Sequence, residues 1–132
     1  MLNCNKLEAN FTGLGLLSIN KELFNRPCSV LFIASVMGIV GSPGLSIYSA
    51  TKSALIGFAR SLSAELANQK IRVNCLSPGI VKSPLYNEYS KQLTKEMNDK
   101  IIASHPLGLG NFNDINSSVN FLLSNESRWI TG

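Results

Sequence analysis

The feature that most constrains the fold is an apolar strand, a long helix and a second apolar strand in direct succession. Residues 29–34 form a short β-branched and aromatic run, typical of a strand that is covered on both faces. Residues 46–67 carry apolar side chains at spacings of three, four and seven, which predicts an amphipathic helix. The predicted apolar stripe consists of Ile47, Ala54, Phe58, Leu62 and Leu66. Residues 71–76 repeat the strand pattern, so the order predicts a βαβ crossover and an α/β fold with a parallel sheet.

The remaining patterns predict helices but no further strands. We expect helices over residues 7–24, 87–103 and 114–123, the last of them capped by Asp114. Two parallel strands with apolar side chains on both faces cannot shield themselves from water. Either further strands escape detection, or the chain is a piece of a larger sheet whose other strands belong to missing sequence or to a partner chain.

Composition indicates a folded, water-soluble domain. Apolar residues make up 45% of the 132 residues and charged residues 15%, which is too apolar for disorder, and the length fits a single domain over residues 1–132. The longest apolar run, residues 30–34, is far shorter than the roughly 20 residues that cross a bilayer. The first twenty residues do not resemble a secretory signal. We therefore expect a cytoplasmic protein without membrane contact.

Charge and potential metal ligands exclude two further classes. Twelve Lys and Arg against eight Asp and Glu give a net charge of +4, but the basic residues are scattered singly, which argues against nucleic-acid binding. Three cysteines lie far apart, so we expect them to be reduced. His105 is the single histidine and has no second ligand at metal-binding spacing, so no metal site is expected.

Polar residues follow both predicted strands, where ligands bind in α/β sheets. Ser35 follows the first strand and Ser77-Pro78-Gly79 follows the second. Tyr48 and Lys52 are four residues apart near the start of the intervening helix and so share one helical face. A fixed ammonium stabilises a neighbouring phenolate, so Tyr48 could exchange a proton with a carbonyl or alcohol oxygen. Alternatively, the pair is a surface contact between a lysine stem and a half-buried tyrosine.

Taken together, these motifs resemble the short-chain dehydrogenase/reductase family. The matching stretches are Ile33-Ala34-Ser35, Tyr48-Ser49-Ala50-Thr51-Lys52, Ile71-Arg72-Val73-Asn74 and Pro78-Gly79-Ile80-Val81, and residues 106–108 and 121–132 are also similar. The resemblance covers nearly the whole chain. Within the family, the 3-oxoacyl-[acyl-carrier-protein] reductase type is the most similar. The implied fold is a Rossmann-type doubly wound parallel sheet.

The resemblance implies a role for each catalytic residue. Tyr48 would be the general acid or base, Lys52 would favour its phenolate and hold the nicotinamide ribose, and Ser35 would polarise the substrate carbonyl. Asn10 would complete the tetrad by positioning a water that relays protons. For Asn10 there is an alternative, a polar side chain that satisfies local backbone groups in a helix.

The resemblance also implies the cofactor and the substrate class. The cofactor would be NAD or NADP, with NADP favoured. Pro78 and Gly79 would form the wall beside the nicotinamide, the Val81 backbone would contact its carboxamide, and Ser83 stands where the family more often has threonine. Residues 84–105 would be a mobile substrate cover. The substrate would be a small carbonyl or alcohol, and an acyl group carried by acyl carrier protein is one candidate.

The sequence departs from the family pattern in what it lacks. No Gly-rich segment of the chain completes the strand-turn-helix fingerprint that receives a pyrophosphate. The N-terminal nucleotide-binding strands and the last strand of the family are absent. We therefore expect an incomplete Rossmann-type fold that does not catalyse the reaction by itself. The alternative function is a catalytically silent interaction module. In either case we expect a homo-oligomer that forms through the helices predicted at about 7–24 and 46–67.

Overall fold

A three-stranded parallel sheet organises the part of the chain that the computed structural model describes, residues 7–9 and 28–132. The strands are β1 (Leu7–Ala9), β2 (Ser29–Ile33) and β3 (Arg72–Leu76), with β2 between the other two. Strand β2 pairs with β3 in register from Ser29 opposite Arg72 to Ile33 opposite Leu76. The prediction of an α/β fold with these two parallel strands is confirmed.

The strand β1 corrects the predicted helix over residues 7–24. Leu7–Ala9 pairs in parallel with β2, from Leu7 opposite Val30 to Ala9 opposite Phe32, so the predicted helix is wrong at its first residues. A run of only three residues has no periodicity by which a strand can be recognised, and pairing with a neighbouring strand overrides the local preference. The rest of the predicted helix, residues 10–24, lies outside the described residues. Of the two alternatives raised by the sequence, a strand that escaped detection is present as β1.

The helix α1 (Ser46–Leu66) connects β2 to β3 and packs on one face of the sheet. Its buried apolar residues are Leu55, Ala59, Leu62 and Leu66. They form one core with residues of alternating positions on the strands, Val30, Phe32 and Val73. The Phe32 and Phe58 rings meet edge to face, with their centroids 5.4 Å apart.

The predicted apolar stripe of α1 is rotated in the structure. Ile47 is 80% exposed and Ala54 is also exposed, whereas Leu55 and Ala59 are buried. The centre of the buried face is therefore rotated by roughly 60° about the helix axis from the predicted one, at about 100° per residue. The small side chain of Ala59, which is 1% exposed, lets the helix approach the sheet closely, and Phe58 packs at the border of the core. The apolar spacing fits both the predicted stripe and the buried face, because Leu62 and Leu66 belong to each of them.

The helix α4 (Phe112–Leu123) covers the other face of the sheet. Ser29 and Leu31 point to the side opposite Val30 and Phe32 because side chains alternate along a strand, and the Ser29 hydroxyl donates to Leu122 O at 2.8 Å. The predicted start at Asp114 is wrong, since Asn111 caps the helix. Asp114 is the third helical residue and accepts from Asn111 N at 2.7 Å, which completes a capping box.

The predicted helix over residues 87–103 is two shorter helices, α2 (Pro84–Ser90) and α3 (Lys95–Ala103). Thr94 interrupts the helical course with an extended backbone, and its hydroxyl accepts from Met97 N at 3.3 Å. A threonine that caps a new helix competes with helix continuation, because its side chain satisfies the same backbone donors. The charged periodic pattern of the sequence obscured this break. Within the described residues, no helix is long and apolar enough to cross a membrane.

Hydrogen bonds from side chains of β3 hold the end of α4 and the C-terminal residues in place. The Arg72 guanidinium donates to Leu122 O at 3.0 Å, Ser124 O at 2.9 Å and Ile130 O at 3.2 Å. Further along, the Asn74 side chain donates to Ile130 O at 3.0 Å, and Gly132 N donates to Val73 O at 2.8 Å. Residues 130–132 thus lie beside β3, and Arg72 donates to carbonyl groups at the end of α4 and beyond it.

Candidate active site

The carboxyl ends of β2 and β3 place Ser35 and Pro78 together. Ala34 N donates to Leu76 O at 2.8 Å, and Val36 N donates to Pro78 O at 2.9 Å, so the two chains remain paired just past the strands. Ser35 then begins a 3-10 turn over Val36–Gly38, and its hydroxyl oxygen accepts from Met37 N at 3.2 Å. The hydroxyl hydrogen of Ser35 is thereby left to donate elsewhere.

The 3-10 turn is pressed against α1 at Gly38. A Cβ atom on Gly38 would lie 2.9 Å from the Lys52 backbone carbon and 3.0 Å from Ser53 N, so the contact requires glycine. The Ser53 hydroxyl also donates to Gly38 O at 2.7 Å. Gly38 therefore sets the distance between the turn that carries Ser35 and the helix that carries Lys52.

We expect Gly38→Ala to lower the free energy of unfolding by about 1–3 kcal/mol, because the added methyl group overlaps helix backbone that cannot move aside. Urea unfolding followed by circular dichroism measures this difference. Gly41→Ala is the matched control, since a Cβ at Gly41 meets nothing within 4 Å, and it should change stability by less than about 1 kcal/mol. Equal effects of the two substitutions would contradict the close approach at Gly38.

Tyr48 and Lys52 lie on the first two turns of α1, facing the end of β2. The Lys52 ammonium donates to Ile33 O at 3.1 Å and lies 5.7 Å from the centroid of the Tyr48 ring. Tyr48 is 44% exposed, so its phenol is open to a ligand. The bond to Ile33 O fixes the ammonium beside both Tyr48 and the strand that leads to Ser35, and two of its three N–H donors are left for other acceptors.

Cys75 is the thiol that lies near these residues in the described part of the chain, and it is held neutral. Cys75 lies on β3 in register with Phe32. Burial raises the pKa of Cys75, and the Ala34 backbone N–H and the positive charges of Lys52 and Arg60 offset only part of this rise. Cys75 is therefore a thiol at neutral pH, which disfavours a nucleophilic role.

The segment after β3 passes the site and is held by a second piece of chain. Val81 and Gly110 form a parallel bridge, in which Gly110 N donates to Ile80 O at 3.0 Å and Lys82 N donates to Gly110 O at 2.8 Å. In this pattern the N–H and C=O of Val81 itself point away from Gly110. Ser83 then caps α2, and its hydroxyl accepts from Tyr86 N at 3.1 Å.

The structure thus brings together most of the residues singled out from the sequence. Ser35, Tyr48, Lys52 and Pro78 converge at the carboxyl edge of the sheet, and Gly79, Val81 and Ser83 follow directly along the chain. Asn10 lies outside the described residues, so its predicted role stays a prediction.

Three other residues shape this region and were not singled out from the sequence for it, namely Gly38, His105 and Gly110. Each acts on a partner at least fourteen residues away in the chain. No local pattern marks such partners, apart from the glycine-rich composition of the two loops.

A cavity of about 710 Å³ lies at the opposite edge of the sheet. Its lining includes Cys28 and Arg72 from the beginnings of β2 and β3, together with Lys70, Arg128 and Trp129. Ligands of parallel α/β sheets bind beyond the carboxyl ends of the strands, and this cavity lies at the amino ends. It is therefore separate from the site that contains Tyr48.

Comparison with known proteins agrees with the arrangement. The family model described as Enoyl-(Acyl carrier protein) reductase matches residues 7–132. The 3-oxoacyl-[acyl-carrier-protein] reductase FabG of Rickettsia felis is 38% identical over 127 residues, which are 96% of this chain and 51% of that protein. Nodulation protein G of Rhizobium sp. (strain N33) is 33% identical over 132 residues, with the same two coverages.

Solved structures show the same likeness. The crystal structure of a 3-oxoacyl-[acyl-carrier protein] reductase from Brucella melitensis matches with a TM-score of 0.68 at 33% identity, over 78% of this chain and 38% of that one. The structure of ElxO with NADP bound matches with a TM-score of 0.68 at 29% identity, over 78% of this chain and 42% of that one.

The chain spans about half the length of the curated relatives it matches. With a family model matching from β1 to Gly132 and structural neighbours that share its fold, the chain belongs to the short-chain dehydrogenase/reductase family, in which it resembles the 3-oxoacyl-[acyl-carrier-protein] reductases.

Proposed function

We propose that this chain carries the catalytic half of an NAD(P)-dependent oxidoreductase that interconverts a carbonyl and an alcohol by hydride transfer. The observation that carries the proposal is the position of Lys52, whose ammonium is tied to Ile33 O at the end of β2 and lies 5.7 Å from the centroid of the Tyr48 ring. A hydroxyl, a phenol and a fixed cation at one sheet edge are what proton transfer to a polarised carbonyl oxygen requires.

Each of the three groups has a distinct task in this reaction. Ser35 donates its hydroxyl hydrogen to the substrate oxygen, which stabilises the charge that grows there. Tyr48 delivers the proton to that oxygen in reduction and accepts it in oxidation. Lys52 stabilises the phenolate that Tyr48 forms. Asn10 is the further candidate, for positioning a water that resupplies the proton.

The donors present fit a nicotinamide cofactor. Lys52 has free N–H donors for ribose hydroxyls, and Val81 directs both an N–H and a C=O away from Gly110, which matches the donor and acceptor of a carboxamide. Pro78 and Gly79 form the adjoining wall, and Ser83 lies beyond it at the start of α2. When bound, the cofactor supplies or accepts the hydride. The solved structure of ElxO with bound NADP supports NADP rather than NAD as the proposed cofactor.

The proposed substrate is an acyl thioester with an oxo group, and an acyl group carried by acyl carrier protein is the candidate. The relatives named 3-oxoacyl reductases support a carbonyl substrate, whereas the description of the family model names an enoyl group. Two probes separate these two chemistries. Acetoacetyl-coenzyme A carries an oxo group, and crotonyl-coenzyme A carries an enoyl group. In a form of the protein that includes the nucleotide-binding half, preferential reduction of the oxo compound is expected, because Ser35 and Tyr48 both act on an oxygen.

The isolated 132-residue chain is expected to show no NADPH or NADH oxidation above background with a panel of small carbonyl compounds. The sequence contains no complete glycine-rich fingerprint, so much of the free energy of pyrophosphate binding is missing. A spectrophotometric assay at 340 nm measures the rate. Robust turnover that Tyr48→Phe abolishes would overturn the expected inactivity and at the same time support the role of Tyr48.

A second candidate is a catalytically silent module for self-association, and the exposed face of α1 favours it. Small residues line this face, and Ile47 at its beginning is 80% exposed. The small residues are Ala50, Ala54, Gly57, Ser61 and Ala64. They allow another helix, from a second copy of the chain, to approach closely. Light scattering combined with NADPH titration discriminates the two functions, since a folded oligomer without cofactor affinity supports the module.

The proposed setting is the cytoplasm, with a small-molecule substrate and a homo-oligomeric state. The soluble substrate and the nicotinamide cofactor support this setting. Neither nucleic acid nor membrane enters the proposed reaction.

A further inference from the structure

His105 links the segment after β3 to the end of α3. Ile80 N donates to His105 Nε2 at 3.2 Å. On the other side of the ring, His105 Nδ1 lies 2.8 Å from Ile101 O and 3.1 Å from the Ser104 hydroxyl. One half-buried imidazole therefore joins the backbone of two segments that are twenty-one or more residues apart.

The partners of the ring define its protonation. The Ile80 N–H can only donate, so Nε2 must be the nitrogen without hydrogen. In a neutral imidazole the hydrogen is then on Nδ1, where the Ile101 carbonyl can only accept. Both contacts are satisfied by one tautomer, the neutral form with hydrogen on Nδ1.

Gly79 is matched to this ring. A Cβ atom on Gly79 would lie 3.2 Å from His105 Nε2 and 3.4 Å from His105 Cδ2. The imidazole thus lies directly against the backbone of the residue that precedes Ile80. A Cβ at this position would force the ring to shift by a few tenths of an ångström, so glycine allows the imidazole to approach the backbone closely.

The peptide groups of Ile80 are held from both sides. Its N–H donates to His105, and its C=O accepts from Gly110 N at 3.0 Å. The next residue is Val81, whose own N–H and C=O point away from Gly110. The orientation of the Val81 peptide groups therefore depends on how firmly Ile80 is held.

We infer that His105 is a positioning residue, which fixes the backbone of Ile80 and Val81 in the orientation that binds the nicotinamide carboxamide. This inference rests on the proposed function for its ligand. Since His105 also ends the segment that begins with α2, it connects the predicted substrate cover of residues 84–105 to the cofactor wall. Loss of the Nε2 acceptor would loosen that wall without touching Tyr48 or Lys52.

Three substitutions separate the acceptor from the bulk of the ring. His105→Gln keeps an acceptor at the distance of Nε2, His105→Asn keeps a polar atom only at the distance of Nδ1, and His105→Phe keeps the ring shape without either nitrogen. In the 132-residue chain, amide hydrogen exchange of Ile80 should accelerate about tenfold in the Asn and Phe variants, as expected for the loss of one hydrogen bond. The Gln variant should stay close to the parent.

Equal exchange of Ile80 in all three variants, whether slow or fast, would overturn the inference. If a variant fails to fold, ¹⁵N chemical shifts of the imidazole in the parent chain decide instead. A non-protonated Nε2 and a protonated Nδ1 are expected, and the opposite tautomer refutes the contact.

A titration with NADPH keeps the inference distinct from the proposed function. This titration uses the chain joined to the N-terminal half of a 3-oxoacyl-[acyl-carrier-protein] reductase, which supplies the missing pyrophosphate site. We expect the Val81 amide resonance of the parent and the Gln variant to shift on addition of NADPH, and that of the Asn and Phe variants to shift at higher concentrations only. No shift in the parent counts against the proposed cofactor site, while the exchange of Ile80 still decides the role of His105.

Discussion

Tyr48→Phe is expected to lower the rate of carbonyl reduction by about 10²–10⁴-fold, the range that general acid catalysis contributes. The substitution removes only the phenolic oxygen, at a residue that is 44% exposed and therefore contributes little to the core. The effect has to be measured in an active protein. We would place the N-terminal half of the 3-oxoacyl-[acyl-carrier-protein] reductase of Rickettsia felis before residue 7, since the chain matches 51% of that relative.

Two controls accompany this measurement. The midpoint of urea unfolding should be the same for the fusion protein with and without Tyr48→Phe, which excludes a general loss of structure. Lys52→Met should lower kcat and also raise KM for NADPH, because Lys52 is assigned to both the phenolate and the ribose. A Tyr48→Phe rate within a few-fold of the parent rate would show that another group transfers the proton.

Arg72→Leu should lower the free energy of unfolding by about 3 kcal/mol or more. Its guanidinium donates to the carbonyl oxygens of Leu122, Ser124 and Ile130, and each hydrogen bond to a charged group contributes about 1.5–3 kcal/mol, although the contributions are not additive. Burial lowers the pKa of Arg72, and the nearby Cys28 offsets part of this decrease. Urea unfolding measures the loss.

The matched control is Arg128→Leu, the same substitution at an exposed arginine, with an expected change within about 0.5 kcal/mol. Arg72→Lys should lie between the two, because an ammonium cannot present the planar fork that reaches three separate carbonyl groups. Equal stability of the Arg72→Leu and Arg128→Leu variants would mean that these carbonyl contacts do not hold α4 and the chain end to β3.

Much of the fold was predictable because its signals are local. Strands β2 and β3 are short apolar runs and α1 is long and periodic, so their type and order follow from neighbouring residues. The short-range spacing of Tyr48 and Lys52, together with the strand ends at Ser35 and Pro78, likewise marked the site before its geometry was known.

The errors have a common physical origin in tertiary contacts. The rotated face of α1 depends on how closely Ala59 approaches the sheet, and β1 exists through pairing with β2. The contacts of His105 with Ile80 and of Gly110 with Val81 join residues twenty-five or more positions apart, for which a single sequence has no pattern. Local preference describes an element, while its rotation and partners are set by packing.

The bridge between Val81 and Gly110 has a consequence for how such a protein can change over evolution. After β3 the chain passes Val81, forms α2 and α3, and returns beside Val81 at Gly110. Insertions or exchanges between these two points need not disturb the core, since the ends of the excursion stay joined by hydrogen bonds. The segment between Val81 and Gly110, which would contact the substrate, can therefore change in sequence and length. Substrate specificity can then change while Tyr48 and Lys52 keep their positions.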